Sequence, residues 1–139
     1  GLRTLRIMHQ TTPPLPVPAP VLHFTEMVLP PLSNHYGTLF AGQALALMSK
    51  AAFVTASRHA GHDVVMARCG QVDFLAPVPQ GRALELSSQV VRCGRSSMSV
   101  QVTGLMAPQR PDTAPVEVLR GMFEMVCVDA QGRPQPLAH

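Results

Sequence analysis

The chain has 139 residues, a formal net charge of +3, 46% hydrophobic residues and 14% charged residues. This length suits one domain around a single core. Basic residues are scattered and aromatic residues make up 4% of the chain, which argues against nucleic-acid binding. No apolar run reaches the ~20 residues that a membrane-spanning helix needs. The high apolar content therefore predicts that part of the surface lies between subunits.

The first segment is dominated by proline. Five prolines fall within residues 11–20, and proline favours extended polyproline geometry over helix or central strand. We predict a flexible arm over 1–20, with a ligand for an SH3-type domain as the weaker alternative, and a single domain over 21–139. The arm has no apolar stretch of signal-peptide length before the prolines, which predicts a cytoplasmic protein.

A strand over 21–29 is followed by a long helix. Pro30 and Pro31 end the strand, since proline removes a backbone donor. The helix is predicted over 42–60 and is almost wholly apolar, so we expect burial nearly all round it. Gly61 stands where a C-terminal cap is expected.

Four further strands follow, with apolar residues at period two. They are predicted over 64–78, 83–92, 96–105 and 116–129, with Ser97 and Ser99 on an outward face. Gly94 and Arg95 make a tight hairpin between the second and third of these. One apolar helix wrapped by a single antiparallel sheet of about five to six strands gives an α+β fold.

Two groups of residues that could in principle bind a metal are interpreted as structural. Cys69, Cys93 and Cys127 are odd in number, far apart and set in apolar segments, which predicts buried reduced thiols rather than disulfides. His59 and His62 lie three residues apart at the helix end, but no third ligand accompanies them. We therefore predict no metal site.

The turn before the helix carries the residue types of a chemical site. It supplies Asn34, His35, Gly37 and Gly42, and no acidic residue follows in the helix. Unpaired amides and the helix dipole favour negative charge at a helix start. A developing oxyanion would be stabilised there.

Four runs in order resemble one family: N-H-Y-G-T-L-F-A-G and L-M-S-K-A-A in the turn and helix, V-D-F-L-A-P-V at 72–78, and G-R-S-S-M at 94–98. From about residue 22 to 134 the chain resembles the hotdog-fold acyl-CoA thioesterases that include bacterial short-chain and mammalian brain cytosolic acyl-CoA hydrolases. The resemblance implies a hotdog fold that hydrolyses acyl-CoA without a cofactor. It also implies a dimer or trimer of dimers, with the site across the dimer interface.

The resemblance assigns roles to the turn and helix. The family's Asn matches Asn34, and its helix-start amides match Ala41 and Gly42, the first of which is Gly in many relatives. The family's Asp, which the helix of the partner subunit supplies, falls on Ser49, and this is the main departure. A carboxylate there would act as general base or nucleophile. Ser49 is left to orient water, or to act as nucleophile if His35 from either chain reaches it.

The hairpin is the candidate for CoA binding. By the resemblance, Gly94, Arg95, Ser96 and Ser97 lie along the CoA moiety, and Arg95 is suited to a phosphate. A plain polar hairpin tip is the competing interpretation. Arg68 is a second candidate, unless it pairs with Asp73 or Glu85.

Three functions remain open from the sequence. The leading hypothesis is an acyl-CoA thioesterase directed by Asn34 and the helix-start amides. The alternative is a weak or silent acyl-CoA-binding protein that serves as sensor or assembly subunit, and the replacement of the family Asp by Ser49 favours it. A dehydratase ranks last, because it needs a His and acid pair and only His35 lies near the motif.

Overall fold

A computed structural model of the chain describes residues 13–137; residues 1–12 and 138–139 lie outside it. The elements in order are β1 (Leu22–Met27), α1 (Ala41–Ala60), β2 (Val64–Phe74), β3 (Ala83–Cys93), β4 (Ser97–Met106) and β5 (Val116–Cys127). All pairings are antiparallel, in the order β1-β3-β4-β5-β2. The predicted α+β fold is confirmed, with five strands.

The core lies between α1 and one face of the sheet. On β3 and β4 every second residue is buried against the helix, among them Leu84, Leu86, Met98, Val100 and Val102. The helix contributes mostly small side chains to this interface: Ala44, Leu47, Met48, Ala51, Ala52, Thr55, Ala56 and Ala60. Alanine at these positions allows the helix backbone to lie close to the sheet.

A pair of buried hydroxyls joins the helix to the sheet. Thr55 Oγ1 donates to Ser88 Oγ at 2.8 Å, and Ser88 Oγ donates to the carbonyl of Ala51 at 3.3 Å. Because both hydroxyls have partners, their burial carries no uncompensated desolvation cost. The link fixes where the middle of α1 sits over β3.

The opposite side of α1 is open in a single chain. Gln43, Ala46, Lys50 and Phe53 are exposed, and Phe53 keeps 49% of its surface accessible. The prediction of near-complete burial is therefore wrong for one chain, because the sheet covers one side of the helix only. Gly61 does end the helix, in the left-handed conformation with φ 69°. No helix within residues 13–137 has the length and hydropathy needed to cross a bilayer.

Strand β2 is irregular and lies at the edge of the sheet. Its register against β5 shifts between Met66 and Arg68 and again between Cys69 and Val72. Each shift interrupts the alternation of faces. The prediction of a single continuous face is therefore wrong, and so is the prediction that Cys69 is buried, since its side chain is exposed.

Strand β4 buries polar residues that the pattern places outward. Ser97 and Ser99 are both buried, and Ser99 Oγ donates to Glu124 Oε2 at 2.6 Å. β4 is the middle strand of five, so neighbours on both sides cover even its polar positions. The two serines lie on the face away from α1, as predicted, but they are buried there and not exposed to solvent.

Residues 13–20, the described end of the proline segment, lie along β3. The amide of Leu15 donates to the carbonyl of Val91 at 3.3 Å, and the amide of Cys93 donates to the carbonyl of Pro13 at 3.1 Å. Gln89 Nε2 donates to the carbonyl of Ala19 at 2.7 Å. This part of the segment is attached to the sheet, in contrast to the flexible arm expected from its composition. The rest of the predicted arm lies outside the described residues.

Candidate active site

The turn before α1 is organised by Asn34. Its Oδ1 accepts hydrogen bonds from the amides of Tyr36 at 3.0 Å and Thr38 at 3.1 Å, and its Nδ2 donates to Thr38 Oγ1 at 3.0 Å. Gly37 has φ 76°, which permits the sharp reversal. Asn34 thus holds the turn with its acceptor atom and keeps one N–H of Nδ2 for another partner.

The helix-start amides are not capped by a side chain. Phe40 is the N-cap and supplies no side-chain hydrogen bond, and the first turn contains no acidic residue. The first helical amides, including those of Ala41 and Gly42, have no acceptor within the helix. Every residue with positive φ in the described part of the chain is a glycine, so Ala41 fits this position without strain.

Gly42 lies against the side chain of Phe40. A Cβ placed at this position would stand 2.8 Å from Cε2 of the Phe40 ring. A side chain at residue 42 would therefore displace the exposed Phe40 ring from the helix start. Glycine allows the Phe40 ring to lie directly against the helix start.

A cavity of about 240 Å³ opens beside the helix start. Ala41 forms one wall, and Phe74 to Val78 from the V-D-F-L-A-P-V run form another. The amide of Leu39 donates to the carbonyl of Val78 at 2.8 Å and fixes this run against the turn. Two of the motifs that carry the family resemblance therefore form one pocket.

Ser49 lines a different cavity, of about 450 Å³, between α1 and β2. Its Oγ donates to the carbonyl of Leu45 at 2.8 Å, so its proton is already engaged. The other lining residues are Lys50, Phe53, Val54, Met66 and Met125. Among the described residues, none that lines the cavity carries an imidazole or a carboxylate that could serve Ser49 as a base.

His35 lies apart from Ser49. Its ring packs on Tyr36, with ring centroids 3.9 Å apart, and both side chains are exposed. The imidazole is thus presented to solvent on the turn. The structure gives no contact between His35 and Ser49, so the Ser–His pairing is not formed within one chain.

The hairpin between β3 and β4 lies where the sequence predicts it. Only some of the side chains predicted to bind CoA are accessible to a ligand. The amide of Gly94 donates to the carbonyl of Ser97 at 2.9 Å. Arg95 is exposed and Ser96 is half-buried, whereas Ser97 is buried. Ser97 is therefore poorly placed to reach a ligand. Arg68 is exposed on β2, opposite Glu124 in the register.

The candidate residues fall into two groups within one chain. Arg95 lines the same cavity as His59, in the last turn of α1. Ala41 stands at the other end of the helix, 18 residues earlier, which is about 27 Å at 1.5 Å per residue. The hairpin and the helix start of one chain therefore do not form one site.

Two features of the structure were not predicted from the sequence: Lys50 in the Ser49 cavity, and a contact between Cys93 and His59. Lys50 lines the Ser49 cavity, and its place directly after Ser49 is a signal that was available. Cys93 Sγ lies 3.4 Å from His59 Nε2. That contact joins residues 34 positions apart, so no local sequence pattern predicts it. Across residues 13–137, no three His, Cys, Asp or Glu side chains converge to hold a metal ion.

Comparison with known proteins identifies the family. The model of the thioesterase superfamily matches residues 36–110 of the chain. The chain belongs to the thioesterase superfamily. The matched span contains the Asn34 turn from its third residue onward, all of α1, and the β3–β4 hairpin. The match thus includes Ala41, Gly42, Ser49 and the hairpin, while Asn34 and His35 lie just before it.

Curated relatives of this thioesterase-superfamily chain are acyl-CoA thioester hydrolases by name. An uncharacterized one from Zymomonas mobilis is 32% identical over 108 residues, covering 78% of this chain and 72% of the relative. YkhA from Bacillus subtilis is 32% identical over 117 residues, covering 81% of this chain and 65% of YkhA. The chain thus spans about two thirds to three quarters of their lengths.

Solved structures share the fold. The acyl-CoA hydrolase of Staphylococcus aureus, solved with butyryl coenzyme A and coenzyme A, is 30% identical with a TM-score of 0.80, covering 84% of this chain and 71% of that one. An acyl-CoA thioesterase described as hexameric is 37% identical with a TM-score of 0.79, covering 84% and 74%. The hotdog fold expected from the motifs is confirmed.

Proposed function

We propose that this chain hydrolyses the thioester bond of acyl-CoA, releasing the free acid and CoA. The observation that carries the proposal is the open helix start beside the Asn34 turn. Amides there are fixed in position and free of acceptors, as an oxyanion site requires. The acyl-CoA activity named for relatives with this fold supports the same chemistry.

The site is completed by a second copy of the chain. Within one chain, the hairpin with Arg95 and the helix start stand at opposite ends of α1. A partner helix running alongside in the opposite direction brings its far end to the first chain's helix start. Arg95 then binds a phosphate of CoA, while the thioester lies at Ala41 and Gly42.

A dimer of this kind, repeated as a trimer of dimers, also covers the open surfaces. Phe53, Val65 and Met66 are exposed large apolar side chains beside the unpaired edge of β2. Exposed apolar patches and free strand edges are common sites of association. The hexameric state named for a relative agrees with this arrangement.

Replacing Phe53 by Arg is expected to reduce the native mass toward that of a single chain. The substitution places a charge in the apolar surface that the second copy covers. Light scattering after size exclusion measures the mass. Val17→Arg is the matched control, because Val17 is 72% exposed and lies along β3, away from the β2 edge. An unchanged mass for Phe53→Arg with intact folding would contradict the proposed interface.

The activity itself is tested with a panel of acyl-CoA substrates from acetyl to palmitoyl, following free thiol release. Asn34→Ala is expected to lower kcat/KM by about 10²-fold, as loss of one oxyanion-site donor does. Asn34→Asp is the matched variant, because it keeps the Oδ1 that holds Tyr36 and Thr38 and removes the Nδ2 donor. Loss in both variants, with the fold intact, shows that activity needs the neutral amide of Asn34 and not its Oδ1 alone. Loss in the Ala variant alone would limit Asn34 to holding the turn.

A silent acyl-CoA-binding protein is the second candidate. Ser49 favours it, because the hydroxyl proton is engaged with Leu45 and no described histidine or carboxylate lines its cavity. This candidate predicts CoA binding by wild type without thiol release from any substrate in the panel. Turnover of one substrate by wild type would exclude it.

A further inference from the structure

Cys93 differs from the other two cysteines in its surroundings. Cys69 is exposed on β2 and Cys127 is buried, whereas Cys93 is half-buried at the end of β3. Its Sγ lies 3.4 Å from Nε2 of His59, in the last turn of α1. A thiol in contact with an imidazole is the arrangement that activates a sulfur nucleophile. Within one chain the pair lies at the opposite end of α1 from the helix start and outside the Ser49 cavity, while in the proposed dimer it stands beside the Arg95 that binds CoA.

The pair lines a cavity of about 420 Å³. Leu15 and Val17 from the segment along β3 form one wall, and Leu137 from the end of the described chain forms another. Arg95 on the hairpin supplies a guanidinium to the same space. One cavity therefore combines a thiol, an imidazole, a cation and apolar walls.

We propose that Cys93 accepts an acyl group from an acyl-CoA thioester in this cavity, with His59 as the base. The Cys93 Sγ forms a bond to the acyl carbon, and the bond from that carbon to the CoA sulfur breaks. The proton passes from the Cys93 thiol to His59 Nε2 and then to the departing CoA thiolate. One thioester replaces another, so no oxidant or further reactant is needed.

The surroundings of the thiol explain why the imidazole is required. Burial raises the pKa of the Cys93 thiol, so the resting sulfur is protonated at neutral pH. Thiolate, not thiol, is the nucleophile. The tautomer of His59 with an unprotonated Nε2 takes the proton as the sulfur attacks, and Cys69 and Cys127 have no such contact to His59.

The rest of the cavity suits the same substrate. The apolar side chains of Leu15, Val17 and Leu137 provide a surface against which burial of an acyl chain is favourable. Arg95 suits a phosphate of the carrier thiol. The choice of acyl-CoA as donor rests on the proposed function. Because the exchange is nearly balanced in free energy, acylation of Cys93 follows the ratio of acyl-CoA to CoA.

The test is intact-protein mass spectrometry of the full chain after mixing with an equal concentration of butyryl-CoA and rapid acid quench. Wild type and Cys69→Ser are expected to gain one butyryl group, mapped to Cys93 and removed by hydroxylamine or excess CoA. Cys93→Ser and Cys93→Ala are expected to gain none. His59→Gln is expected to slow acylation about 10²-fold, the usual effect of losing a general base.

Three results would overturn the proposal: no adduct on the folded wild type, an adduct confined to Cys69, or acylation of His59→Gln at the wild-type rate. Steady-state thiol release by the same proteins separates this inference from the proposed hydrolysis. Turnover without a Cys93 adduct removes the acceptor role alone. A Cys93 adduct without turnover removes the hydrolase role alone and leaves the acceptor in place.

Discussion

Ser49→Asp is expected to raise kcat for acyl-CoA hydrolysis by about 10²–10⁴-fold, the typical contribution of a general base. Residue 49 faces the 450 Å³ cavity on the open side of α1, where a carboxylate can take a proton from water. Lys50 lines the same cavity and favours the ionised carboxylate. The cost to the helix is small, since Asp is at most about 0.7 kcal/mol less favourable than Ala in a helix interior.

The measurement is thiol release across the acyl-CoA panel by wild type and three variants of residue 49. Ser49→Asn matches Asp in shape without its charge, and Ser49→Ala removes the hydroxyl that bonds to Leu45. Neither is expected to gain activity. A Ser49→Asp enzyme no faster than the Asn variant would show that residue 49 does not face the reacting carbon. A fast wild type that Ser49→Ala abolishes would give the hydroxyl its own chemical role.

Phe123→Ala is expected to lower the free energy of unfolding by about 3–5 kcal/mol. Phe123 is wholly buried and stands first by volume among the fully buried side chains of the described residues. Its ring lies 3.1 Å from the position a Cβ would take on Gly121, next to the Met48 side chain of α1. Removing the ring leaves a void between sheet and helix that tightly packed neighbours fill poorly.

Urea unfolding at one fixed protein concentration measures the loss. Val116→Ala is the matched control on the same strand, because Val116 is 47% exposed. A surface change of this kind is expected to stay within about 0.5 kcal/mol. Equal losses in the two variants would mean that β5 does not pack against α1 as described.

The elements with regular patterns were predictable from the sequence. The period-two runs gave β3 and β4 within two residues of their observed ends, and the apolar run ending at Gly61 gave α1. The register shifts within β2 were not predictable, because an extra residue in one strand is defined by its partner β5. Burial of Ser97 and Ser99 depends likewise on the neighbouring strands.

The candidate site was predictable as separate pieces. Motifs predicted an ordered turn at Asn34 and a helix start without an acidic residue, both of which depend on adjacent residues. They did not reveal that the hairpin with Arg95 lies at the far end of α1, because that distance depends on the assembled sheet. The contact between Cys93 and His59 was missed for the same reason.

In the proposed assembly, the open side of α1 ties the stability of this protein to its concentration. Phe53 and Met66 leave apolar surface in water on a single chain, and association removes that surface by the law of mass action. Dilution therefore shifts the balance toward a less stable species. The free energy of unfolding of each chain then depends in part on how many other chains are present in the same volume.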